Sequence, residues 1–457
     1  MASSLTSWNS LPDEGTAPGK VLLSLKEPTM TIINPMELLS LRIIIQLILI
    51  LLAARLVGSL FRRMGQPQVC GEIAAGMLLG PSCLGALAPH LESLVFNSAT
   101  VAYLNVLSHV GLIFVMFLIG LEFDFTHLRS SQRLTFFIAA AGIVVPFALG
   151  LFVGPWVWKE MELRVSLKGF VLFLATALTI TAMPVLGRIM IEFNITRTRL
   201  GALTMSAAAI SDVVGWLLLA LVSAVVTAQL NLLRIGMAAL GTLAYLLVML
   251  LVVRPLVIRW TQRVMRNQGR ELSWNALTQL IIFLLASAAI TNLIGIFSLF
   301  GAFVMGAILY DQADLRAAIN SRMRDFVSIF FLPIFFTCTG LRTDIAAGGA
   351  SVWLVCCVVV ATASAGKIGA CATVAKLSGF SWQEAGAIGA MMNTRGLMEL
   401  IVLNAGYDLG IVPQSSFFVL TVMALVTNFM TAPALRYLMQ KREQEQLETA
   451  LARSAVT

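Results

Sequence analysis

Long apolar runs separated by short polar connections dominate this chain from residue 37 onward. A run of about 20 apolar residues is long enough to cross the hydrocarbon core of a bilayer as a helix. Read this way, the sequence predicts about thirteen helices, near 37–61, 68–86, 101–122, 132–156, 168–191, 198–227, 234–258, 274–295, 297–312, 325–343, 351–376, 383–405 and 413–437. The second and ninth are short and rich in glycine. A membrane β-barrel is excluded, because its strands alternate apolar and polar positions over about ten residues. Residues 1–36 carry Pro, Gly and both charge signs, without the basic and compact apolar regions of a signal peptide, and are read as a mobile tail. Residues 438–457 are read as a short tail at the other end.

The two halves of this pattern resemble each other. The segment GEIAAG (71–76) matches GAFVMG (301–306), and IFVMFLIGLEFD (113–124) matches IFFLPIFFTCTGLRTD (329–344), both about 220 to 230 residues apart. Six helices, a linking helix at 234–258 and six more helices place corresponding helices in opposite orientations. Inverted repeats of this kind are characteristic of secondary transporters. The expected fold is therefore an all-α polytopic membrane protein with a 6+1+6 arrangement.

Composition makes the bilayer reading firm. Of 457 residues, 58% are hydrophobic and only 12% charged, with a mean hydropathy of +0.89. A soluble protein carries roughly twice that charged fraction. The net charge of +8 suggests nucleic acid at first sight. The basic residues, however, fall in alternate short loops: Arg62 and Arg63; Arg129 and Arg133; Arg197 and Arg199; Arg259, Arg263, Arg266 and Arg270; Arg316, Arg322 and Arg324; Lys376; Arg436, Lys441 and Arg442. That is the positive-inside pattern; it predicts an outer N-terminus and a cytoplasmic C-terminus, and no nucleic-acid partner. The six cysteines show neither metal-ligand spacing nor a disulfide framework, and no cofactor is implied.

Ionisable groups inside such spans are costly, and by default functional. Asp212 lies mid-span among small and apolar neighbours in LTMSAAAISDVVGWLLLALV. Burial disfavours the charged form of a carboxylate, which suits a group that trades a proton for a metal ion, and carboxylate oxygen is the hard ligand that Na⁺ or K⁺ prefers. Lys367, mid-span in VVVATASAGKIGACATVAK, is expected to partner Asp212, with salt-bridge reach in at least one state. The stretch ATALTITAMPVLG carries Thr176, Thr179 and Thr181 before Pro184, whose missing amide frees the carbonyl near Ile180 and breaks or kinks the helix. Its counterpart, GAMMNTRGLMELIV, is polar at Asn393, Thr394 and Arg395, followed by Gly396. Two interrupted helices at matching places point to a transport site, where unwound carbonyls coordinate a cation and Arg395 offsets helix C-termini. Glu72, Glu122, Asp124, Arg188 and Glu399, nearer predicted ends, are read as gating, vestibule or structural groups.

These residues resemble the monovalent cation:proton antiporter-2 family, which includes bacterial sodium/proton antiporters, glutathione-gated potassium efflux systems and plant cation/proton exchangers. The similar pieces are QVCGEIAAGMLLGPSCLG, VGLIFVMFLIGLEFD, ALTITAMPVLGRI, SDVVGW, FLPIFFTCTGLRTD and MMNTRGLMELIVLNAG, in order across most of 60–410. The resemblance implies the sodium/proton antiporter fold, with two crossed broken helices beside an essential Asp, and an elevator-type movement. It also implies a homodimer with contacts near 37–61 and 234–258, and core helices near 101–227 and 325–437. By resemblance Asp212, with Ser211, Thr179 and Thr181, takes the cation or proton, Lys367 is the opposed basic residue, and Thr179 to Pro184 and Asn393 to Gly396 form the crossover. Electrogenic members have two adjacent acids where this chain has Ser211 and Asp212; a lone acid implies electroneutral exchange, whereas Lys367 belongs to the other pattern. The nucleotide-binding or long regulatory tails of many relatives are not expected here.

The implied function is exchange of Na⁺, K⁺ or both for H⁺ across a plasma or thylakoid-type membrane, with lipid as the surrounding partner. A cation channel is the alternative of another class, without need of a titrating midplane carboxylate. A symporter of the related bile-acid-type fold has crossed helices without requiring Asp212 opposite Lys367. An enzyme is not expected: His90, His109 and His127 sit near span ends without ligand spacing.

Overall fold

In the computed structural model, the described residues are 35–96, 98–122, 132–193, 195, 198–227, 232–267, 273–344 and 350–454. Most of the predicted tail at 1–36 lies outside them, as do Asp124, His127, Arg129, Arg197 and Arg270. Two units are distinguished, Met1–Leu41 and Arg42–Thr457; everything below concerns the second.

The described residues are helical, without strand. In order the helices are α1 (Pro35–Arg63), α2 (Gln68–Leu79), α3 (Pro89–Val95), α4 (Ser98–Glu122), α5 (Gln132–Glu160), α6 (Leu167–Thr179), α7 (Met183–Glu192), α8 (Arg199–Thr227), α9 (Leu232–Val248), α10 (Arg254–Asn267), α11 (Trp274–Ile294), α12 (Ser298–Ala307), α13 (Ala313–Ile319), α14 (Leu332–Leu341), α15 (Ala350–Leu377), α16 (Trp382–Met392), α17 (Leu397–Asp408) and α18 (Gln414–Ser454). Helix occupies every predicted apolar run. Among the described residues eight continuous helical stretches are long and apolar enough to cross a membrane, one of them running from α9 into α10 (Ala239–Thr261), and a pair bent by 46° at 313–341 makes a ninth if it is counted as one span. The other runs hold short or broken helices, so the count of thirteen crossings remains an expectation.

Two local departures have simple causes. Wide π-type turns occupy Met249–Val253 and Val327–Phe331, just ahead of Pro255 and Pro333, whose rings exclude the regular bond to the preceding turn. The last helix continues to Ser454, past the predicted end at 437. Its extension, KREQEQLETALA, is built from strong helix formers and needs no bilayer to stay helical.

Helix packing sorts the elements into two sets. One is a panel of α2, α4, α11, α12 and α14; the other is a bundle of α5 to α8 and α15 to α18; α9 touches α8 in the bundle and α11 in the panel. Each set draws on both halves of the chain. Helices α4 and α14, which the sequence reading grouped with the core, make their main contacts with α2 and α12.

Inside the panel, the repeat becomes visible as two equivalent crossings. A Cβ on Gly76 would lie 2.1 Å from the Thr337 carbonyl oxygen, and one on Gly340 2.2 Å from that of Ile73. At the second crossing, a Cβ on Gly306 would lie 2.1 Å from the Phe117 oxygen, and one on Gly120 2.2 Å from that of Phe303. In every case the oxygen belongs to the residue three before the facing glycine. Gly76 and Gly306 close the two matched motifs, as Gly120 and Gly340 stand in the two G-L-x-x-D segments. A two-fold relation between halves turns one crossing into the other. Small residues allow such backbone contact where lipid offers no hydrophobic drive for helix association. Gly306→Ala is accordingly expected to destabilise by about 1–3 kcal/mol through overpacking, and Gly76→Ala similarly. Unchanged thermal melting in detergent for both would contradict the close crossings.

Candidate functional site

The bundle contains two helices that stop and restart. The chain leaves α6 at Thr179 and enters α7 at Met183, with Ile180 extended at φ −69° and ψ 140°. Pro184 stands in the first turn of α7, where its missing amide costs nothing. The second break, 393–396, separates α16 from α17 and ends at Gly396, φ 157°, where a Cβ would meet Val185 at 2.8 Å. The breaks touch. Ala182 donates its amide to the Thr394 carbonyl at 2.9 Å, and Thr181 Oγ1 donates to the Met392 carbonyl at 3.3 Å. Thr394 Oγ1 reaches Thr431 on α18 at 3.4 Å.

A broken helix exposes carbonyls at one stump and amides at the next, with partial charges to match. The stump of α6 is fully satisfied. Thr179 Oγ1 donates to the Thr176 carbonyl at 2.7 Å. The Arg395 fork donates to the carbonyls of Ala177 at 2.7 Å and Leu178 at 2.8 Å. Lys367 Nζ donates to the Thr179 carbonyl. Two cations therefore sit on the negative end of α6, as anticipated for Arg395 alone. Carboxylates face the positive ends: Asp212 on α8 lies beside the Met183 amide at the start of α7, and Glu399 lies in the first turn of α17. Glu399 pairs with Arg395 at 3.1 Å, both side chains fully buried. Asn428 Oδ1 accepts the Arg395 amide at 3.1 Å, fixing the backbone of the second break.

The structure thus brings Thr176, Thr179, Ile180, Thr181, Asn393, Thr394, Arg395 and Gly396 into one crossover, with Asp212 and Lys367 on flanking helices. Thr176 Oγ1 donates to Leu172 of its own helix at 2.9 Å and has a structural part. Asp212 and Lys367 form no ion pair within 4 Å in this arrangement; the Lys367 ammonium is spent on the α6 stump. Asp212 is 3% exposed. Its Oδ1, with Ser211 Oγ, Asn393 Oδ1 and Glu399 Oε2, is buried without a hydrogen-bond partner. Among the described residues no group of three His, Cys, Asp or Glu side chains stands ready for a metal. The sequence reading left Glu399 among peripheral groups, although its i, i+4 spacing from Arg395 signalled a pair on one helical face. Asn428 carried no comparable signal.

Two crossed, broken helices joined to a buried carboxylate and two capping cations define a secondary transporter of ions rather than an enzyme. Residues 48–441 match the family model described as "Sodium/hydrogen exchanger, transmembrane", and the chain belongs to that family; it is a cation/proton antiporter. It is 39% identical over 396 residues to a Na⁺/H⁺ antiporter, NhaS4, of Synechocystis, covering 86% of this chain and 95% of the relative. It is 35% identical to Cation/H⁺ antiporter 18 of Arabidopsis thaliana, covering 88% of this chain and 49% of that relative, so it spans about half the plant protein. The sodium proton antiporter MjNhaP1 of Methanocaldococcus jannaschii shares the fold, with a TM-score of 0.62 at 14% identity, over 88% of this chain and 99% of that one.

Proposed function

We propose that this protein exchanges Na⁺, K⁺ or both for H⁺ at Asp212, by movement of the bundle against the panel. The observation that carries this reading is Asp212, buried at the α7 N-terminus beside the crossing of two broken helices. Proton and cation compete there for one carboxylate, and Ser211, Thr179 and Thr181 supply neutral oxygens around it. Two acids, Asp212 and Glu399, balance two bases, Lys367 and Arg395. Arg395 stays with the structure; Lys367, on a single carbonyl, is the cation free to move to Asp212 when the site changes state.

Thirteen crossings with an outer N-terminus and a cytoplasmic C-terminus complete the reading, in a plasma or thylakoid-type membrane. Apolar faces of α1 (Ile44, Ile48, Leu52, Leu56, Leu60) and α9 (Leu240, Leu243, Leu247) point outward. They suit lipid and a second copy of the chain. The test is a pH jump in proteoliposomes with Na⁺, K⁺ and Li⁺ compared side by side. Cation uptake driven by the proton gradient is expected for Na⁺ or K⁺; uptake indifferent to the gradient would favour a channel and overturn the proposal.

A further inference from the structure

Four contacts converge on the seam between panel and bundle, all at one end of α17. Arg342, just past α14, donates from Nη1 to Asn404 Oδ1 at 2.8 Å. It also pairs with Asp408 Oδ1 at 3.0 Å, and its guanidinium lies over the Tyr407 ring, 5.1 Å from the centroid. Asn404 Nδ2 donates in turn to Thr339 Oγ1 of α14 at 2.8 Å. Arg342 and Thr339 belong to the panel side; Asn404, Tyr407 and Asp408 belong to α17, the helix that leaves the crossover. The cluster borders a cavity of about 210 Å³ with mixed walls, which include Asn105, His109, Asn292 and Ser298.

The opposite end of the repeat is held differently. Arg342 stands in GLRTD (340–344) where the first half has Glu122 in GLEFD (120–124). Glu122 pairs at 3.3 Å with Arg324, the last residue of the helical stretch Ala313–Arg324 that precedes α14, and not with the bundle. A contact made across the seam at one end and not at the related place favours one arrangement of bundle against panel over its mirror.

We propose that Arg342, Asn404 and Asp408 form a latch that holds the present arrangement and parts each time the bundle moves. This rests on the moving-bundle reading above. The physical character of the pair fits a contact made and broken in every cycle. Arg342 and Asp408 side chains are 13% and 47% exposed, so water takes over as they separate. The Arg395–Glu399 pair, fully buried within one stretch of chain, has no such replacement and travels intact.

The decisive experiment joins the latch covalently. Arg342→Cys with Asp408→Cys is reconstituted and bridged with a short bis-thiosulfonate reagent; each single variant receives the same treatment as a control for the native cysteines. pH-driven cation exchange is expected to be lost on bridging and to return with reductant, with neither single variant responding. Exchange in the bridged protein at its unbridged rate would overturn the latch. If even the untreated protein exchanges no cation for protons, the antiporter reading has failed, and deuterium uptake judges the latch separately. In Arg342→Gln and in Asp408→Asn, amides of 335–344 and 400–409 are expected to exchange about fivefold faster, with no further gain in the double variant. Unchanged uptake in both single variants would also overturn it.

Discussion

Asp212→Asn is expected to abolish cation exchange while leaving the protein folded and inserted. The amide keeps the size of the acid and offers an oxygen in the same place beside the head of α7, so the packing of the crossover survives. It can neither take up and release a proton nor offer a full negative charge to a cation stripped of water. The coupling of the two fluxes goes with it. In the unmodified protein, competition for one carboxylate makes apparent cation affinity weaken as pH falls. The limit is about tenfold per pH unit once the site is mostly protonated. The sign is fixed by the competition: protons occupy the site at low pH, and more cation is needed to displace them. Ser211→Ala, one residue away, removes a neutral oxygen and is expected to be much milder. Cation uptake as a function of pH in proteoliposomes checks all three statements. Robust pH-driven exchange by folded Asp212→Asn protein would place the ion elsewhere.

Arg395→Ala is expected to have the largest effect on stability of any single change at the crossover. The side chain is fully buried and serves two carbonyls of the α6 stump and the Glu399 carboxylate together. Truncation leaves the Leu178 carbonyl and the Glu399 carboxylate without this donor, and the Ala177 carbonyl with only the Ile180 amide at 3.4 Å, in a buried site. Removing one partner of a buried pair typically costs about 3–5 kcal/mol. Arg395→Lys retains the charge but not the fork that spans adjacent carbonyls, so it recovers only part of the loss. Adding Glu399→Gln to Arg395→Ala removes the stranded carboxylate and is expected to raise the melting temperature above that of Arg395→Ala alone. Thermal melting of the four proteins in detergent measures each step. An Arg395→Ala protein that melts with the parent would mean that the α6 carbonyls find other donors.

Much of this architecture can be read along the chain. Apolar runs mark the helices because a bilayer penalises any interruption of backbone hydrogen bonding or any unpaired charge. The same penalty makes Asp212, Lys367 and Arg395 conspicuous, and it makes Pro184 and the Asn393–Gly396 cluster legible as breaks. The matched glycine motifs announce the repeat.

What the chain does not reveal by itself is which helix faces which. In water, a helix shows its core side as an apolar stripe; in a bilayer, lipid-facing and protein-facing sides are both apolar, and the stripe disappears. The resemblance implies core helices near 101–227 and 325–437, a span that includes α4 and α14, and it takes the close glycine crossings to show that these two pack on α12 and α2. The partner of Lys367 was equally hidden. Its expected pairing with Asp212 matched opposite charges at one depth, but an unpaired carbonyl at a helix stump is also a strong acceptor, and the Thr179 carbonyl holds the ammonium in this arrangement. That carbonyl is not a feature of any residue type; it exists only because the helix ends there. Glu399 gained its place in the same way, from an arginine that had to turn toward the α6 stump across the crossing. Sequence determined the helices, the breaks and the buried charges. Tertiary structure alone decided which stump each charge neutralises, because those contacts join side chains to backbone carbonyls some 200 residues away, whose positions no local pattern encodes.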